Sequence, residues 1–267
     1  MSIIRLLQKA RPRRRRPLPD TRGGGARRSL AVLVGLLLVA PAAPAPAADI
    51  HGRMLPVDEG PRDPEFAAFR QDLMEAVARM DADYVLSVTP ETLDTGSLID
   101  EYGADLGRRA LELAWMPRAI PVEQWDLWPA LADILANGGR FVEPGKFCAP
   151  YFHTELPAAL ATDPNYRYGV VTVPSLTVHR EPSVTAHQLG RVQSGDILQL
   201  LNPGGLEVSD SAGASAIRFA AVWYADRPGY VDVEAVRRLG GLYACFARDR
   251  ILDRWLMISF GAPRGRE

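Results

Sequence analysis

The sequence predicts an α+β protein built from two unlike parts. Apolar residues recur at helical spacing through the first half of the body, the periodicity changes to alternation from Tyr168, and two further β-rich runs follow at the end. With 267 residues, 47% of them hydrophobic, the chain has the balance of one or two globular domains. This composition excludes collagen-like, coiled-coil and fully disordered chains.

A formal net charge of -1 conceals an asymmetry. The first 47 residues carry ten basic side chains, including Arg13 to Arg16 and Arg27-Arg28, against one acid, Asp20. From Ala48 onward there are 21 basic and 31 acidic residues, a net charge of about -10. So acidic a body argues against nucleic-acid binding, which needs clustered Lys and Arg.

Leu30 to Ala40 reads LAVLVGLLLVA, an apolar run of eleven residues behind a basic stretch and ahead of Pro41 to Ala48. That is the layout of a signal peptide over residues 1–47, with Ala45-Pro46-Ala47 as the cleavage pattern. The run is short of the roughly 20 residues of a membrane span, so no stable span is expected after cleavage; an uncleaved anchor is the alternative. Arg27-Arg28-Ser29-Leu30 resembles a twin-arginine signal, while the Leu-rich run suits general secretory export. A periplasmic or secreted location follows from either route.

In the body, Asp63-Pro64-Glu65 supplies an N-cap, a first-turn proline and a first-turn acid, and Phe66, Phe69, Leu73, Val77 and Met80 follow on one helical face. A short helix is expected over Asp81 to Val88, ending before Thr89-Pro90. A third spans Asp105 to Trp115 with Leu106, Ala110, Leu113 and Ala114 inward. A fourth runs from Pro121 to Asn137 with Trp125, Trp128, Leu131, Ile134 and Leu135 inward, stopped by Gly138-Gly139. Phe141-Val142 and Phe147 to His153 read as short strands.

From Tyr168 the alternating Val170, Val171, Val173, Leu176 and Val178 suggest a small barrel or sandwich. Leu176-Thr-Val178-His-Arg180-Glu-Pro182-Ser183, then Leu189-Gly190 through Gly195-Asp196 to Leu200, and Gly229-Tyr230-Val231 resemble three ordered motifs of the bacterial SH3 family. The family's central W-x-x-V stretch is represented by Phe219-Ala-Ala-Val222, and Asn202 to Ser215 reads as a long exposed loop. The resemblance implies an SH3-like β-barrel over 167–239. Leu242 to Arg248 and Arg254 to Phe260 form a candidate hairpin. A lone hairpin is marginal in water and needs a surface to cover.

The whole body resembles secreted bacterial proteins in which a helical domain with G-G-x-F and F-C-A-P-Y motifs precedes an SH3-like module and an aromatic hairpin. Here these are Gly138 to Phe141, Phe147 to Tyr151, and Tyr243 to Phe246 with Trp255. An α+β domain over 48–166 is therefore expected, with the hairpin of 240–267 returning to its sheet and the SH3-like unit inserted between.

Cys148 and Cys245 are the only cysteines. An even count in an exported chain favours a disulfide, with two separate buried thiols as the alternative. Cys148 and His153 lack the activating setting of a cysteine peptidase. His51, His153, His179 and His187 show no metal-ligand spacing, so no metal or cofactor is expected. Asp81/Asp83 and Asp100/Glu101 read as boundary charges, and no phosphate-binding glycine loop occurs in the body.

The expected role is that of a noncatalytic envelope protein whose SH3-like module binds peptidoglycan peptide or a protein partner. Tyr230, Phe219, Trp223, Tyr224 and Arg180 are the candidate binding residues, with Arg191 and Arg227 as further cations for a peptide carboxylate. The alternative is a small-ligand pocket in the helical domain with binding, hydrolase or isomerase activity, loosely resembling nuclear-transport-factor-2-like cones.

Overall fold

Two antiparallel sheets, one of four strands and one of eight, lie in a mixed α+β architecture with five helices among the described residues. The computed structural model describes residues 52–97, 107–154, 160, 167–201, 208–209 and 218–263. The expected signal peptide and Asp100-Glu101 lie outside these residues, as does most of the expected loop at 202–215.

The helices are α1 (Pro64–Ala78), α2 (Ala82–Ser87), α3 (Arg108–Trp115), α4 (Leu127–Ala136) and the single turn α5 (Tyr151–Thr154). The Asp63 side chain caps α1 by accepting from the Glu65 and Phe66 amides, and Asp81 caps α2 through the Tyr84 amide. Phe66, Leu73 and Val77 are buried as expected. Met80 is not, because α1 stops at Ala78 and Met80 takes a left-handed φ of 56° with its side chain half-exposed.

The third helix is turned relative to expectation. Ala110 and Leu111 face the core, whereas Leu113 is 44% exposed. Apolar residues on two sides of one short helix made the choice of face ambiguous. The fourth helix is also split. Val122–Gln124 form a 3₁₀ turn, Trp125 is extended, and α4 starts at Leu127.

Strand β1 (Arg140–Glu143) pairs with β2 (Lys146–Ala149). The strand expected through His153 ends at Ala149, since Pro150 has no N–H to continue the ladder and Tyr151–Thr154 turn helical. The terminal strands β11 (Tyr243–Asp249) and β12 (Arg254–Gly261) complete this sheet in the order β1-β2-β11-β12. Phe147 and Phe246 sit opposite one another and join Phe66, Leu131, Trp255, Met257 and Phe260 in a core beneath the helices. Their neighbours Cys148 and Cys245, also opposite one another, point to the other face and form a disulfide across 97 positions of chain with Cα atoms 4.1 Å apart.

The second sheet comes from the chain between β2 and β11. Its strands are β3 (Tyr168–Val171), β4 (Ser175–His179), β5 (Gln188–Gln193), β6 (Ile197–Leu200), β7 (Val208–Ser209), β8 (Arg218–Tyr224), β9 (Arg227–Asp232) and β10 (Val236–Arg238). Pairing runs β10-β3-β6-β8-β9-β4-β5, with β7 beside β8. The barrel expected from alternation is therefore not closed. One end is a three-residue strand, and the other, β5, turns Gln188, Arg191 and Gln193 to solvent, two common ways to blunt a sheet edge. Val178, Val192, Leu198, Val222 and Val231 fill its own aliphatic core.

A smaller cluster, with Met54, Tyr151, Phe152, Val170, Ile197 and Leu239, packs where the two sheets meet. Arg53–Asp196 and Arg237–Asp133 ion pairs of 2.9 and 2.8 Å lie at the same junction.

Candidate functional site

The register of β8 and β9 sorts the expected binding residues onto two faces. Residues directly opposite in an antiparallel pair share a face, and successive residues alternate. Ala220, Val222 and Tyr224 turn to the aliphatic core. Phe219, Ala221 and Trp223 turn to the other face, opposite Asp232, Tyr230 and Pro228. Phe219, Trp223 and Tyr230 are thus brought together, and Tyr224 is separated from them. Tyr224 is buried with its hydroxyl against Gly190 of β5, where a Cβ would collide with it.

Within the aromatic face the exposures differ. Phe219 is buried and packs edge-on against the His179 ring with centroids 6.1 Å apart. His179 in turn lies opposite Tyr230 across β4 and β9, and its Nδ1 is 3.3 Å from the Ala186 carbonyl oxygen. Trp223 and Tyr230 are half-exposed, and Gln199 of β6 lies opposite Trp223. Thr177 and Arg191 form the next pair outward on the same side. Arg180 is exposed in the β4–β5 turn, one residue beyond His179, and its amide donates to the His187 carbonyl. Arg180, Arg191 and Arg227 make no ion pair among the described residues. Arg227 lies opposite Tyr224 and so belongs to the other side of β9. Two open rings with the free Arg191 guanidinium on the same side, and Arg180 at its end, can stack on a flat or aliphatic group and hold carboxylates.

The other candidates resolve as structure. Cys148 is bonded to Cys245 and offers no thiol. His153 stacks on Tyr243 at 3.8 Å with the rings 5° from parallel, and burial pushes its pKa down to about 4. Asp81 is spent on capping α2. Among the described residues no group of three His, Cys, Asp or Glu side chains is placed to hold a metal ion. No described helix is long and apolar enough to cross a membrane.

Sequence reasoning missed one feature. Among the described residues the outer surface of the helical layer carries grooves between its helices. One, of about 480 Å³, lies between α1 and α4 and is lined by Met74, Met80, Trp128 and Ala132. Another, of about 410 Å³, lies between α2, α3 and the turn before α4. Arg109, Glu112, Leu113 and Met116 line it at helical spacing, a signal the sequence did contain.

Comparison with family models, curated proteins and solved structures gave no match to this chain.

Proposed function

We propose that this chain is a noncatalytic exported envelope protein whose second sheet, an SH3-like module, binds the peptide of peptidoglycan or a protein partner. The observation that carries this reading is the shared face of Trp223 and Tyr230, open to solvent beside unpaired Arg180 and Arg191. Rings supply contact area at low entropic cost, and guanidinium groups recognise the carboxylates of a peptide stem. The Cys148–Cys245 bond is compatible with an oxidising compartment, and the signal-peptide layout of residues 1–47 supports export.

Binding of the full chain to purified peptidoglycan and to its free stem peptide tests the reading. Trp223→Ala and Tyr230→Ala should each weaken capture by about fivefold or more, as at an interface hot spot, with melting temperature unchanged. Absence of capture by the parent chain would end the peptidoglycan version. Capture unaffected by both substitutions would remove this face from the interaction.

A further inference from the structure

We propose that the groove between α2, α3 and the turn before α4 binds a single-chain anionic amphiphile, a carboxylate on an unbranched hydrocarbon chain. Its walls are apolar and come from three separate elements. Leu86 projects from α2, Leu113 and Met116 from α3, and the Trp125 ring from the segment leading into α4. Leu113 is 44% exposed, although its helix has a buried side available for apolar residues. The hydrocarbon surface here is turned outward into a concavity. A volume of about 410 Å³ lies within the range of small-molecule sites, roughly 300–1,000 Å³.

The Trp125 wall is fixed. Its indole N–H donates to the Pro117 carbonyl at 3.1 Å, and its ring stacks on Trp128 with centroids 5.9 Å apart and planes 15° from parallel. The groove therefore meets a ring face with its donor already satisfied.

Charge at the rim selects the head group. Arg109 is held by Glu112 at 2.7 Å, a carboxylate that also meets Arg108 at 3.8 Å, and Arg108 is paired in turn with Glu91. Arg118 also lines the groove, is exposed, and makes no ion pair among the described residues. An unpaired cation beside an apolar trough is complementary to an anion with a hydrocarbon tail, a local attraction that acts against the repulsion of a body of net charge about -10. A cationic amphiphile would meet Arg118 as a like charge, and a short anion would gain nothing from the walls. The groove between α1 and α4 is lined by apolar residues alone and serves as an internal control, since it has no means of choosing a head group by charge.

Calorimetric titration of the full chain with laurate, dodecyltrimethylammonium and acetate, below micellar concentrations, tests the proposal. Laurate should bind one to one, the cationic amphiphile about tenfold more weakly or not at all, and acetate not at all. Arg118→Gln should weaken laurate by about fivefold, the upper end for an exposed ion pair. Leu113→Glu, at an exposed position that leaves the core intact, should abolish binding, while Met74→Glu in the neighbouring groove should leave it unchanged. Equal affinity for the two amphiphiles, insensitivity to Arg118→Gln or Leu113→Glu, or no laurate binding would each overturn it. A groove that takes only a protein segment would give the last result. Trp223→Ala should leave laurate binding unaffected, so failure of either binding proposal is read separately from the other.

Discussion

The two sheets solve the same problem by opposite means. In the eight-stranded sheet, the hairpins β4–β5 and β8–β9 join neighbours in sequence, and the core is made chiefly of Val and Leu from those strands and from β3, β6 and β10. In the four-stranded sheet, β2 meets β11 only after the whole second sheet has been traversed. Its core depends on large rings drawn from remote positions: Phe66 has Phe69, Phe141, Phe147, Phe246 and Trp255 within 6.1 Å between ring centroids. Hairpins occur in both sheets, but aliphatic side chains fill the core of one, while aromatic burial and a covalent cross-link hold the other. The difference separates a platform that can vary its loops from a clasp that joins the beginning and end of the body.

Removing the clasp tests this most severely. Cys148→Ser with Cys245→Ser should cost about 4–5 kcal/mol in chemical denaturation on the chain-entropy account of a loop of this length. Hydrogen exchange should then quicken in β2 and β11 before β8 and β9; equal quickening in both sheets would break the distinction. Phe66→Ala should cost about 3–5 kcal/mol, since the residue is fully buried amid five rings.

The third test is a titration. His153 is neutral in the folded chain down to about pH 4, whereas an unfolded histidine takes up a proton near 6.5. Its contribution is complete above pH 6.5, is lost as pH falls through the interval to about 4, and does not decline further below that. The loss should reach at most about 3 kcal/mol, and His153→Phe, which keeps a ring against Tyr243, should flatten the stability profile over that interval. The mildest substitution acts on the second sheet. Gly190→Ala should cost about 1–3 kcal/mol by displacing the Tyr224 hydroxyl, with a lowered melting temperature and no change at the disulfide.

What could be read from the sequence follows the same division. Helix α1 was announced by Asp63-Pro64-Glu65, and β3 and β4 by local alternation from Val170 to Val178, while the strands around Ile197 and Tyr230 rested on the motif resemblance. Both signals sit within a few residues of what they specify. The ring cluster was invisible as a contact set because Phe66 and Trp255 are far apart in the chain. Which of Trp223 and Tyr224 points outward was undecidable from alternation alone; the β8–β9 register and the space above Gly190 that takes the Tyr224 hydroxyl settle it. The groove beside α3 was missed for a related reason. Leu113 reads as a core residue when an apolar side chain is assumed to face inward.

The placement of β11 also governs the order in which this molecule can be finished. A chain emerging N-terminus first presents β2 with one edge unpaired and Phe147 lacking its partner until Tyr243–Asp249 arrives. At about 5–20 residues per second, the 97 positions separating Cys148 from Cys245 amount to roughly 5–20 s of synthesis. During that interval the helical part carries an open, ring-bearing strand edge while the second sheet can already close on itself. A product ended after Leu239 would keep that edge indefinitely and would find partners in other copies of itself.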